Sequence, residues 1–205
     1  MGITERRERE REEVRRKILD AARELFARQG YESVTMRAVA EAIEYSATAI
    51  YHHFEDKDDL VEALCQEDFA RLLGALETQP PPADPVEWIR QLGRSYAAFG
   101  LAYPNHYRFM FMTPEKMKVK EKGSPGEQSY GLLRTAVTRA IESGQFRPGD
   151  VDAISQVLWA GLHGAVSLLI TMRPEQWPVA PAAPGLVEQV IEHGIRGFRP
   201  DRPAR

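Results

Sequence analysis

The side chains best equipped for chemistry fall in one short stretch: Ser46, Ala47, Thr48, Tyr51, His52 and Lys57, with Thr35 and Arg37 just upstream. They are hydrogen-bonding and charge-pairing groups rather than a bond-breaking set. The Ser46 and Thr48 hydroxyls suit base edges, and the methyls of Ala47 and Thr48 suit contact with a thymine methyl. Tyr51 and His52 suit phosphate oxygens, and Lys57, at the start of a helix, adds a cation beside unpaired backbone N–H groups. The surface such residues make fits duplex DNA. The chain shows no nucleophile–His–acid set, no phosphate-cradling glycine loop and no metal-spaced Cys/His cluster, so neither an enzyme nor a metal or cofactor is expected.

Two short helices must hold these groups. Thr35 is a good N-cap, and Val34 and Val39 occupy the two positions of a hydrophobic staple. Val39, Ala40 and Ile43 give the first helix one inward face. Ser46 caps a second helix, whose buried side carries Ile50 and Phe54, four apart. Small residues at the start of that helix let its backbone enter a major groove closely. His53, near its end, reads as a structural or capping histidine.

The run Ala42-Ile43-Glu44-Tyr45-Ser46-Ala47-Thr48-Ala49-Ile50-Tyr51-His52-His53-Phe54-Glu55-Asp56-Lys57-Asp58-Asp59-Leu60 resembles the TetR family of bacterial repressors. The family pattern of Tyr-x-His-Phe followed by Lys and Leu is met by Tyr51, His53, Phe54, Lys57 and Leu60. Ile18 to Tyr31 resembles the family's first helix, with Gly30 where a C′ residue belongs. The likeness covers about residues 14–64. Many members carry Gly in the turn where this chain has Glu44. A non-glycine residue held in the left-handed region there costs roughly 1 kcal/mol.

Composition sets the remaining bounds. The 205 residues fit one medium domain or two small ones, and 43% hydrophobic content suffices for a helical core. Periodicity is helical throughout, without alternating β-branched runs. The net charge of −3 lends DNA binding no general support, so that reading rests on local placement. The single cysteine, Cys65, favours a reducing cytoplasm and a buried inert thiol. The charged N-terminus is unlike a signal peptide, and no uninterrupted apolar run reaches membrane-spanning length.

Residues 5–17 are nearly all Glu and Arg. Their i,i+4 pairs (Glu5/Arg9, Glu12/Arg16, Glu13/Lys17) allow the first helix to extend through them. The arm is then either a solvated end or a carrier of Arg6, Arg7, Arg9 or Arg11 to the minor groove or backbone. Further helices are expected at about Lys57–Leu76, Pro85–Tyr103, Gln128–Ser143, Val151–Met172 and Leu186–Phe198, with a short one over Tyr107–Phe111. Thr113–Gly126 reads as an exposed mobile loop, Arg173–Pro184 as a Pro-rich connection, and the tail as disordered.

Trp159-Ala160-Gly161-Leu162-His163-Gly164 resembles the Trp-x-x-x-His-Gly element of the WHG class of TetR regulatory domain, and Tyr103 to Phe111 resembles an earlier element of that class. The resemblance implies a small-molecule effector and a dimer. Trp88, Tyr96, Phe99, Tyr103, Tyr107, Phe111, Trp159 and His163 are candidate lining for a pocket suited to a hydrophobic or aromatic molecule, or else core. Ala160, Gly161, Gly164 and Ala165, with Val187, Val190, Ile191, Gly194 and Ile195, are candidates for a four-helix homodimer interface, or else for the core of one chain.

The expected fold is thus all-α. Residues 1–60 form a three-helix helix-turn-helix domain with a charged arm, and residues 61–205 a helical bundle for effector binding and dimerisation. The expected partners are double-stranded operator DNA, a second copy and an unidentified small molecule, with no membrane. The alternative is a helical small-molecule-binding or interaction protein with degenerate DNA binding.

Overall fold

The computed structural model describes residues 2–112, 122–177 and 183–200. Most of the loop expected over Thr113–Gly126, the middle of the Pro-rich connection and the tail from residue 201 lie outside the described residues. Nine α-helices are described: α1 (Ile3–Gln29), α2 (Met36–Ala42), α3 (Ala47–Tyr51), α4 (Lys57–Leu76), α5 (Pro85–Ala102), α6 (Pro104–Met112), α7 (Pro125–Glu142), α8 (Val151–Thr171) and α9 (Ala183–Phe198), with a 3₁₀ turn at Pro174–Gln176. The described residues contain no strand.

The helix ends follow from capping chemistry. The hydroxyls of Thr35, Ser46 and Ser124 and the carboxylates of Asp84 and Asp150 each accept a first-turn N–H of the helix they open. Ser124 with Pro125 starts α7 three residues before the expected Gln128. The charged arm is helical and continuous with α1, whose first turn is tied by Gly2 N–H donating to Glu5 Oε2 at 2.9 Å.

The chain divides into two compact units. The first holds residues 2–69 and 105–112; the second holds Ala70–Pro104 and the later described residues. This division differs from the expected 60/61 boundary in two ways. The break falls inside α4, which has no breaker at residue 60, and most of α6 belongs with the N-terminal helices.

In the first unit, Ile18, Leu19, Ala22 and Phe26 of α1 pack with Val34, Val39, Ile50, Phe54, Leu60, Leu64 and, from α6, Phe109. The Phe26 and Phe109 rings stack at 5.6 Å between centroids. Beside this core lies a buried polar cluster. The Arg23 guanidinium reaches Asp68 at 2.9 Å and Asp20 at 2.7 Å, and His106 Nδ1 meets Asp68 Oδ1 at 2.9 Å.

In the second unit, α5, α7, α8 and α9 pack as a bundle. Val86, Leu92, Phe99, Val137, Leu162, Val166, Ile191 and Ile195 are among its buried side chains. A Cβ on Gly93 would stand 2.9 Å from Ile191 Cδ1, and one on Gly194 would stand 2.9 Å from Leu158 Cδ2, so these glycines set the approach of α9 to α5 and α8. Arg90–Glu192 and Arg94–Glu188 ion pairs bind α5 to α9 on the outside.

Two sequence expectations gain detail from this packing. Helix α8 is long and apolar enough to cross a membrane by length and composition alone, although Ser155, Gln156, His163 and Ser167 interrupt its apolar run. Its packing against α5, α7 and α9 makes it a helix of this bundle. The second concerns the proposed interface residues. Ala165, Val187, Ile191 and Ile195 are buried within the single chain, because the apolar stripe of α9 faces α5 and α8. Each keeps at most a few per cent of its surface exposed.

Candidate nucleic-acid interface

Helix α3 has only five residues, and its orientation is set from below. Ile50 is 0% exposed and Phe54 2% exposed, both within the first unit's core. Anchoring that side leaves Thr48, Tyr51 and His52 exposed on the other, with Tyr51 at 54%. Ser46 is exposed, and its Oγ accepts the Ala49 N–H at 3.2 Å, so the hydroxyl proton points to what remains outside. Ala47 is half-buried against the core.

The turn between α2 and α3 is closed by a Schellman motif. Tyr45 N–H donates to Ala40 O at 2.9 Å and Glu44 N–H to Glu41 O at 3.2 Å. The motif requires its C′ residue in the left-handed region, and Glu44 stands there with φ 60°. Tyr45, 38% exposed, comes next and was not among the sequence candidates. An aromatic side chain directly before a recognition-helix cap was the available signal.

Of the flanking candidates, Thr35 and Arg37 are exposed. Thr35 Oγ1 accepts the Ala38 N–H, and Arg37 pairs with Glu41 at 2.9 Å. Lys57 differs from its expected setting. It is half-buried, and its ammonium lies 3.9 Å from the Tyr31 ring centroid. Tyr31 is itself fixed by donating to Asp58 at 2.6 Å. The Asp59 N–H already donates to Asp56 Oδ1, and Glu55, Asp56, Asp58 and Asp59 flank the cation in sequence. The start of α4 is therefore a weaker phosphate site than the sequence pattern implied.

His53 is half-buried, and its Nδ1 is sealed from water without a hydrogen-bond partner among the described residues. Burial, then the charges of Arg11 and Arg15, lower its proton affinity and keep it neutral. The arginines beside it belong to α1, and the Arg15 guanidinium lies 5.3 Å from the Phe54 ring centroid.

Likeness to known proteins agrees with this geometry and decides the family. Residues 18–64 match the model of "Bacterial regulatory proteins, tetR family", and residues 89–193 match "Tetracyclin repressor-like, C-terminal domain". The chain belongs to the TetR family. Such TetR-family proteins are transcription regulators, not enzymes. The chain is 50% identical over 167 residues to the HTH-type transcriptional repressor AcnR of Corynebacterium glutamicum, covering 77% of this chain and 82% of that protein. It is 40% identical over 84 residues to the HTH-type transcriptional repressor Rv1474c of Mycobacterium tuberculosis, covering 37% of this chain and less than half, 45%, of that one. Its fold also matches the TetR-family regulator PfmR of Thermus thermophilus, with TM-score 0.69 and 24% identity over 87% of this chain and 97% of that one.

Of the eight aromatic and imidazole candidates of this TetR-family regulator, Tyr107 and Phe111 belong to the first unit and the other six to the second. Tyr107 is fully buried in the first unit, and Phe111 there lies edge-on to Phe69. In the second unit Trp88 is buried beneath the Arg139 guanidinium, and Phe99 is buried with Tyr103, 42% exposed, tilted against it. Tyr96, Trp159 and His163 do meet. The Trp159 indole N–H donates to the Tyr96 oxygen at 3.2 Å, Tyr96 Oη lies 3.4 Å from His163 Nδ1, and Ser167 Oγ lies 3.3 Å from His163 Nε2. An indole nitrogen only donates, so Tyr96 Oη accepts from Trp159, and a neutral His163 can accept at Nδ1 from Tyr96 while its Nε2–H donates to Ser167. Burial lowers the proton affinity of His163, which suits this neutral tautomer.

Proposed function

We propose that this chain is a repressor that binds a palindromic operator as a homodimer and leaves it when a small hydrophobic or aromatic effector binds. The observation that carries the DNA half is the two-sided α3, held by buried Ile50 while Thr48, Tyr51 and His52 stand exposed. A dimer of such units places two recognition helices about 34–36 Å apart, in successive major grooves. Ser46, Ala47 and Thr48 read base edges, while Tyr51, His52, Thr35, Arg37 and, more weakly, Lys57 hold the backbone. The names of AcnR and Rv1474c support repression.

The dimer reading is supported by the outer face of α8. Val157, Ala160, Gly161, Gly164 and Leu168 share one side of the helix; Val157 is 57% and Leu168 45% exposed. An apolar stripe with small residues at its centre accepts a second helix closely. Val190 and Gly194 of α9 remain at its margin, half-buried. Contact through this face replaces the deeper stripe expected from sequence.

For the effector, Tyr96, Trp159, His163 and Ser167 supply a short polar chain within an apolar bundle, a setting for one or two directed hydrogen bonds to an otherwise apolar molecule. The effector releases DNA only through a difference in affinity between two conformations that space the recognition helices differently.

The test is a fluorescence titration with DNA from upstream of the chain's own coding region. Tight, salt-sensitive, palindrome-dependent binding is expected. Weak binding at low salt, by protein carrying no co-purified small molecule, would instead favour a carrier with degenerate DNA binding.

A further inference from the structure

Helix α1 runs well beyond the core that its later turns serve. Ala22, Ile18 and Val14 form one ridge of α1, at successive i,i+4 steps. Ala22 and Ile18 are fully buried, and Val14 is half-buried against the same core. Toward the N-terminus an i,i+3 step from Val14 keeps the same face at Arg11, and an i,i+4 step then reaches Arg7, both exposed, with Arg15 one row aside. Glu5 and Glu13 fall on the far side of the helix, Glu8 and Glu10 border the arginine face, and Glu12 is near enough to His53 to oppose the arginines there. Among the described residues, Arg6 pairs with Glu10 in this arm, while no ion pair engages Arg7 or Arg11. The face that was apolar within the fold thus becomes cationic where the fold ends.

This cationic ridge adjoins the recognition helix. Arg11 and Arg15 lie near enough to His53, two residues past α3, to lower its proton affinity, and Arg15 covers Phe54. Arg7 is one turn further out, about 6 Å along the axis. Residues 5–13 contain no apolar side chain, which excludes insertion into a lipid surface. A charge-complementary occupant beside a DNA-reading helix is the sugar-phosphate backbone.

We infer that the Arg7–Arg11 ridge of α1 clamps the DNA backbone flanking each half-site, so that each subunit covers more duplex than its helix-turn-helix reads. The inference rests on the DNA-binding reading of α3. It also explains how a chain of net charge −3 holds a polyanion: Arg7, Arg11 and Arg15 share one face, while the arm's other cations are interspersed with glutamates.

The test compares wild type, Arg7→Gln/Arg11→Gln and Arg16→Gln/Lys17→Gln, the last losing the same charge from the outer side of α1. Each is titrated over a range of salt concentrations with two palindromic duplexes from the upstream region, one trimmed to the half-sites and one carrying about six further base pairs at each end. Circular dichroism checks that all three share one helix content. The ridge variant is expected to bind the long duplex at least tenfold more weakly. Its salt slope should fall by roughly three to four for a dimer losing four phosphate contacts. It should also gain nothing from the flanks, whereas wild type and the outer-face variant bind the long duplex more tightly. Equal losses in both variants, or wild-type-like binding by the ridge variant, overturn the inference while leaving the repressor reading intact. Failure of wild type to bind either duplex overturns both.

Discussion

Arg23 and Asp68 meet in the interior of the first unit, 45 positions apart in sequence, with the Arg23 Nε–H donating to Asp68 Oδ1 at 3.0 Å. Asp68 is 0% exposed and Arg23 is 3% exposed. The pair ties α1 to α4, and His106 brings in α6. Burial by itself lowers the proton affinity of the guanidinium, and the carboxylates of Asp68, Asp20 and Glu67 more than offset this.

The two partners are not equivalent. Asp68→Ala leaves Arg23 with Asp20 at 2.7 Å, at the edge of solvent. Arg23→Ala leaves a wholly buried carboxylate facing His106. Breaking a buried pair costs about 3–5 kcal/mol, and Arg23→Ala should lie toward the upper end with Asp68→Ala below it. Urea unfolding at neutral pH measures both. The reverse order would show that Asp20 and Glu67 contribute little to holding the guanidinium.

Much of the N-terminal unit was readable because its signals are local. Thr35 and Ser46, like Asp84 and Asp150 further on, cap helices where their types and the following periodicity put them. The left-handed Glu44 was readable from the turn it replaces. What escaped were pairings between distant segments: Arg23 with Asp68, and α6 joining the N-terminal core through Phe109. Periodicity also cannot say which neighbour an apolar stripe faces. Val187, Ile191 and Ile195 fit either a partner copy or their own core by pattern and lie buried in their own chain, while Val157 and Leu168 on α8 are exposed.

Base readout and backbone grip should separate by substitution. Tyr51→Phe removes one hydroxyl from an exposed ring and should weaken binding to all duplexes alike, by a few-fold to about tenfold. Thr48→Ala removes a hydroxyl and a methyl from the start of α3 and should alter the ranking of duplexes that differ at single base pairs. Anisotropy titrations on a small operator panel decide this. A sequence-selective Tyr51 effect with a uniform Thr48 effect would exchange the two roles.

Glu44 combines left-handed strain with a negative charge beside α3. Glu44→Gly should relieve roughly 1 kcal/mol of backbone cost and raise the melting temperature by several degrees. It should also tighten DNA binding, most visibly at low salt. Glu44→Gln separates the two effects: it should reproduce the binding gain without the thermal one.

The depressed proton affinities of His53 and His163 make stability depend on pH in a fixed direction. In the unfolded chain each imidazole takes up a proton near its ordinary value of about 6.5, whereas in the fold each stays neutral to lower pH. The unfolded state therefore binds more protons below that value. Stability should be level above pH 6.5 and fall as the pH drops through it. Melting curves between about pH 5 and 8 test this, and His163→Asn should remove part of the acid-side slope. A slope unchanged by that substitution would place the effect at His53.

Gly164 provides the sharpest test of assembly, because a Cβ placed there meets nothing within 4 Å in the single chain. Gly164→Leu therefore sets its Cβ in open space and acts chiefly on whatever covers α8. If a second copy packs there, the variant should sediment as a monomer with unchanged helix content and bind a palindrome no better than a single half-site. Gly194 is the contrast: its absent Cβ faces Leu158 at 2.9 Å, so Gly194→Leu should destabilise the chain itself. A Gly164→Leu protein that remains dimeric would move the interface off this face.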